Sequence, residues 1–191
     1  MMSDVQLMAR AHNAIGKAAG AGRVLLVPGG GVFADAVRQV DRNVGLSPDT
    51  AHWMAVLAMD QSAEFVAGRL PDGAVVRMPD EIDNVLNSDR IPVLAPSAWL
   101  RDSDPLPHSW DVTSDSIAAW VAGRVGASQL VLIKPEATGV HRSGDMRSTG
   151  LGLVDPWFSR ILPEGLAWTM VGADQIAEAF EDQPRSETHK A

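Results

Sequence analysis

The chain has 191 residues, a formal net charge of −8 and no cysteine. That length suits one large domain with a sizeable core. The lack of cysteine excludes disulfides, thiolate metal sites and a cysteine nucleophile, and the acidic balance argues against a general nucleic-acid binder, which needs a basic face to neutralise phosphates.

Residues 1–15 carry Asp4, Arg10 and His12 without a continuous apolar run, so no signal peptide is expected there. No stretch approaches the roughly 20 apolar residues of a membrane span, and the expectation is a cytoplasmic enzyme or binding protein. Residues 5–19 set Val5, Leu7, Met8, Ala11 and Ile15 at about helical spacing, closed by Gly20 and Gly22. Residues 23–27 are a short apolar run that reads as a buried strand. The turn Pro28, Gly29, Gly30, Gly31 follows, and residues 32–44 return to helical period through Phe33, Val37 and Val40. Strand, glycine turn and helix make a βα unit. Ser47 and Pro48 form an N-cap and first helical position for a helix reaching residue 66 or 67.

Residues 74–77 predict a strand, 80–86 a short helix and 91–95 a second apolar strand. A loop rich in Pro and Asp is expected over 96–111. Thr113 caps a helix over 114–125, which Gly126 closes. Residues 130–133 predict a third apolar strand, followed by a Gly, Ser and Arg-rich stretch over 139–152. Residues 155–162 read as helical, 166–171 as extended, 173–180 as helical, and the last ten residues as a polar tail. Apolar strands alternating with helices predict an α/β domain with a mainly parallel sheet, covered on both faces.

Four groups of residues have the means for chemistry. Gly29, Gly30 and Gly31 stand where a parallel sheet binds ligands, beyond the carboxyl end of a strand. Their lack of side chains lets backbone N–H groups approach a phosphate, a carboxylate or another polar group. Asp111, Thr113, Ser114 and Asp115 sit at a helix start, as caps or as part of a sheet-end site. Lys134 ends an apolar strand in a chain whose other lysines are Lys17 and Lys190; it either snorkels to solvent or neutralises a phosphate. Asp49, His52, Trp53, Val56 and Asp60 share a helix face, a packed flank or a metal face. His108 has no second ligand at metal spacing and reads as a loop residue.

The strings VLLVPGGGVFAD from Val24, AHWMAVLAMD from Ala51, LPHSWDVTSDSIAA from Leu106, LVLIKPEATGV from Leu130 and GLVDPWF from Gly152 resemble the amino acid kinase superfamily. Within it they are similar to the kinases of (aminomethyl)furanylmethyl phosphate in methanofuran synthesis, over roughly residues 20–180. The resemblance implies a three-layer α/β/α sandwich with ATP over the C-terminal half and the phosphate acceptor over the N-terminal half. It implies magnesium with the ATP, a small-molecule acceptor and a homo-oligomer. Gly29, Gly30, Gly31, Asp35, Thr113 and Ser114 would meet the acceptor. Asp115 and Lys134 would be catalytic, with Lys134 and Gly139 near the nucleotide.

Two departures accompany the likeness. Family members begin with a strand ending in Lys-x-Gly-Gly-Ser, and nothing before Gly20 matches it; Lys17 stands at the end of the first predicted helix. The Asp-Val-Asp-Gly pattern common after the C-terminal strand is replaced by Pro135, Glu136, Ala137, Thr138 and Gly139. Two readings follow: a kinase in which Lys134, Arg142 or Arg147 supplies the charge, or a non-catalytic relative that binds a small molecule or a partner subunit. One domain is expected over residues 1–181, with the tail at 182–191.

Overall fold

The computed structural model describes residues 13–19, 22–134, 137, 139–143, 152–172 and 175–179. Residues 13–19 are helical (α1). Residues 5–12 of that predicted helix, Pro135, Glu136, Arg147 and the tail at 182–191 lie outside the described residues.

Residues 23–27 form less of a strand than their apolar run predicts. Leu26 alone bridges to Val93, its N–H donating to the Pro92 carbonyl at 3.0 Å and its carbonyl accepting from Leu94 at 2.8 Å. The segment pairs on one side only. Among the described residues no strand bonds its other side, and a ladder needs repeated pairs to extend.

The glycine turn then enters α2 (Gly31–Val44), which Gly45 ends in a left-handed conformation, its N–H returning to the Asp41 carbonyl at 2.8 Å. Helix α3 (Pro48–Ala67) starts as the sequence predicts: the Ser47 hydroxyl accepts from Thr50 N–H at 3.2 Å and Pro48 fills the first position. Strand β1 (Gly73–Val76), helix α4 (Pro79–Leu86) and strand β2 (Ile91–Leu94) follow.

The expected loop over 96–111 contains a helix, α5 (Ser97–Ser103). Its start has no local cap; the carboxylate of Asp60, on α3, accepts from Ser97 N–H at 3.0 Å and from the Ser97 hydroxyl. The signal for this helix thus lies far away in sequence. Helix α6 (Ser114–Arg124) has Thr113 as its N-cap. Strands β3 (Gln129–Ile133) and β4 (Val140–Arg142), a single helical turn α7 (Phe158–Ile161), strand β5 (Ala167–Val171) and a 3-10 turn at Ala177–Ala179 complete the order. The helix expected over 155–162 is shorter because residues 155–157 fold around the Asp155 side chain instead.

β1 and β2 pair in parallel from Gly73 with Ile91 to Val76 with Leu94. β3 and β5 pair in parallel and β4 joins β5 antiparallel, giving the order β3-β5-β4. The described strands are thus mostly parallel, in two sheets. Helix α6 serves both. Ile117 and Val121 pack with Val76, Leu94 and Trp99, whereas Ala118, Ala119 and Ala122 pack with Leu130, Leu132 and Met170. A helix apolar nearly all round must be buried nearly all round, and each such Ile or Val contributes about 1.5–3 kcal/mol. Across the strands, Ile15 of α1 packs with Val93 and Ala63, and Ala14 packs against Val171 and Ile176. No helix of the described residues is long and apolar enough to cross a membrane.

Candidate active site at the start of helix α6

The first turn of α6, which carries Ser114 and Asp115, is reached by Gly29 and by Lys134. The glycine turn packs closely on it: a Cβ added at Gly29 would lie 2.8 Å from the Ser114 hydroxyl and would push that side chain aside. Gly30 is equally confined, since its added Cβ would stand 2.5 Å from that of Ala34. Gly31 has φ +51°, which a side chain would strain. The turn is fixed from behind by Ser62, fully buried on α3, whose hydroxyl donates to the Gly30 carbonyl at 3.1 Å.

Gly29, Gly30, Gly31, Thr113 and Ser114 line one cavity of about 140 Å³, together with Arg38 and His52. Asp35 does not line it; exposed on α2, it pairs with Arg38 at 3.1 Å. Arg38 is the cation of this cavity, and its guanidinium stacks 4.8 Å above the ring of Trp110. Its place could be read from helical spacing, seven residues beyond Gly31 and so on the same face of α2, once the turn is known to form a cavity wall. Trp110 gives no such signal, because its place depends on Asp41, whose carboxylate accepts from the indole N–H at 2.7 Å.

Lys134 also reaches α6. Its Nζ lies 2.6 Å from Oδ2 of Asp115, whose side chain is only 5% exposed. Burial pushes the Asp115 carboxyl above its ordinary range, and the lysine charge pulls it partly back. Gly139, φ +86°, lies just before β4.

Asp155 is the residue that sequence reasoning missed. Its Oδ2 accepts from the Thr113 N–H, the Thr113 hydroxyl and the Ser116 N–H at 2.8–3.0 Å. Its Oδ1 accepts from the Ser116 hydroxyl at 2.5 Å and from the N–H groups of Trp157 and Phe158 at 2.9 and 3.0 Å. Burial alone would raise this carboxyl; the hydrogen bonds from Ser116 and Thr113 outweigh it and hold the group below its ordinary range. Four of its six donors lie about 40 residues upstream, so the local spacing to Trp157 and Phe158 does not reveal its hold on Thr113 and Ser116. It fixes the turn that carries Thr113, Ser114 and Asp115.

The face of α3 with Asp49, His52 and Asp60 does not gather its acids on one point. Asp60 caps α5, and Asp49 accepts from His108 at 2.6 Å. Among the described residues no three His, Asp or Glu stand together as a metal site. His108 also meets Asp104 at 2.9 Å through its other ring nitrogen, and these carboxylates raise its pKa, Asp49 foremost. The His52 ring stacks on that of His108 with centroids 4.1 Å apart. Burial, then the His108 charge, pushes His52 down to about 4, so it is neutral at neutral pH.

A cavity therefore lies between the glycine turn and the start of α6, and the Lys134–Asp115 pair stands on the same first turn of that helix. The chain is 28% identical over 122 residues to the [5-(aminomethyl)furan-3-yl]methyl phosphate kinase of Methanocaldococcus jannaschii; the match covers 62% of this chain and 54% of that protein. The chain thus matches about half the length of this relative. The model of the amino acid kinase family matches residues 1–145, from α1 through β4, and the chain belongs to that family.

Proposed function

We propose that the chain is an ATP-dependent small-molecule kinase in the biosynthesis of a methanofuran-type one-carbon carrier. The observation that carries this reading is the Lys134–Asp115 pair on the first turn of α6, one residue from the serine that meets the glycine turn. By analogy with the Methanocaldococcus jannaschii relative, the acceptor is [5-(aminomethyl)furan-3-yl]methyl phosphate or a close analogue. The same reading takes residues 1–181 as one three-layer α/β/α domain with a polar tail at 182–191, acting in the cytoplasm as a homo-oligomer. The packing of α1 and α6 against the strands supports the layering.

In this reading Gly29, Gly30, Gly31, Thr113 and Ser114 hold the acceptor, and Asp35 acts through Arg38. Lys134 and Gly139 hold the nucleotide phosphates, and Asp115 keeps Lys134 in place. An acceptor phosphate oxygen attacks the terminal phosphorus of ATP, the bond to the bridging oxygen breaks, and ADP leaves with the electron pair. A phosphate oxygen already carries its charge, so no side chain has to remove a proton. The protein's task is positioning and charge cancellation. Magnesium suits the donor set, because it is held mostly by phosphates and water with one or two carboxylates; Asp115 is the carboxylate at hand. When bound, the metal neutralises charge on the transferred group.

The test is a thermal-shift titration of ATP with and without magnesium, followed by turnover of the Asp115→Asn variant. Ligand at a hundredfold its Kd stabilises by about 2.7 kcal/mol, so a clear rise in Tm is expected. Asp115→Asn should retain the fold and lose turnover. No shift at millimolar nucleotide contradicts the reading for this chain. Binding without turnover in the wild type marks a non-catalytic small-molecule binding protein of the same fold.

A further inference from the structure

Beside the cavity at the glycine turn lies a second, of about 300 Å³, and His52, Ala55, Trp110 and Val112 line both. The two volumes share a wall of four residues. Their outer walls differ in charge. The inner one has Arg38 and the backbone of Gly29, Gly30 and Gly31. The outer one has no Lys or Arg in its lining, and its carboxylate is Asp41.

We infer that the two cavities are one acceptor site, in which the outer half selects a flat ring bearing a positively charged group, the ring against Trp110 and His52 and the charge toward Asp41. This rests on the acceptor reading of the glycine turn and adds to it which acceptors are chosen.

Three observations support the outer half. Trp110 is held rigidly, by its indole N–H to Asp41 at 2.7 Å and by Arg38 over its ring, and a fixed aromatic face suits a flat ring. Neither ring nitrogen of His52 has a hydrogen-bond partner among the described residues, although the ring is braced against His108 and Trp53. A neutral imidazole facing a cavity can donate to, or accept from, a ligand heteroatom. Asp41 stays ionised: the Trp110 indole and then the Leu46 N–H, at 2.8 Å, hold its carboxyl below the ordinary range. Each of its oxygens keeps a further lone pair for a cation. His108, on the same wall, has its charge matched by Asp49 and Asp104. An anionic end at the glycines and a cationic end near Asp41 thus fix the direction in which an acceptor lies.

The test is calorimetric binding to the full chain of two probes: [5-(aminomethyl)furan-3-yl]methyl phosphate, and its analogue with methyl in place of aminomethyl. The wild type should bind the amine at least about tenfold more tightly, the scale of one charge-assisted hydrogen bond. Asp41→Asn should bind both probes alike, because the amide removes the charge that distinguishes them, whatever it does to the Trp110 face they share. Equal affinities in the wild type overturn the inference without any variant, as does a preference that survives Asp41→Asn. His52→Leu should weaken both probes together. If neither probe binds the wild type at millimolar concentration, the acceptor reading fails and this inference with it; if both bind equally, only the inference fails.

Discussion

Two brackets tie distant parts of this molecule together, and they are built in opposite ways. Around α6 a buried carboxylate, Asp155, collects six donors. At the start of α3 an imidazole, His108, is gripped by two carboxylates whose side chains are 79% and 56% exposed. Both use charge-assisted hydrogen bonds. Water competes for the second and is excluded from the first. The Asp155 bracket therefore fixes the fold at the site, while the His108 bracket trims it.

The strongest way to break this contrast is Asp155→Ala. Removing the acceptor leaves the buried donors of Ser116 and the half-buried donors of Thr113 without a partner, and each fully buried one costs about 1–3 kcal/mol. A loss of about 4 kcal/mol in urea unfolding is expected, with the start of α6 disordered; a loss below about 1 kcal/mol would remove Asp155 as the organising group. Next comes Lys134→Met, which strands the Asp115 carboxyl. Breaking a buried pair costs about 3–5 kcal/mol; Lys134 is partly exposed, so about 2 kcal/mol is expected, measured the same way. Rescue by Asp115→Asn in the Lys134→Met background would sharpen the point, because a neutral amide removes the stranded charge. Gly30→Ala should cost about 1–3 kcal/mol by overpacking against Ala34.

The smallest effect belongs to His108. Its exposed carboxylate partners limit the worth of the bracket to about 1 kcal/mol or less, read as the change in stability of His108→Asn. The pH dependence carries a sign. The folded pKa of His108 is raised, so its contribution is full below about 6.5 and fades as pH rises through the folded value. That of His52 is lowered to about 4, so its contribution is present above about 6.5 and is lost as pH falls toward 4. The two stacked rings thus oppose each other. His52→Leu should flatten the acid side of the stability profile and His108→Asn the neutral side; the reverse pattern would contradict the assignment.

Legibility in the sequence followed the range of the signal. Ser47 with Pro48, and Thr113, mark the starts of α3 and α6 because caps act within three residues. The glycine turn is legible for the same reason. Helix α5 is not, since Asp60 satisfies its start from 37 residues away. Residues 23–27 look like a full strand because apolarity reports burial and not the number of paired neighbours. Lys134 is conspicuous by its scarcity, and the structure sets it on Asp115. Trp110, and the hold of Asp155 on Thr113 and Ser116, become visible only when the chain is folded, because their partners lie far off in sequence, whereas Arg38 follows from helical spacing once the glycine turn is known to wall a cavity.

The most direct test of the central claim is phosphorus NMR of the full chain with ATP, magnesium and [5-(aminomethyl)furan-3-yl]methyl phosphate. The account predicts ADP together with a new diphosphate ester in equal amounts, abolished by Asp115→Asn. Intact ATP and acceptor after many hours, with both shown to be bound, would contradict it.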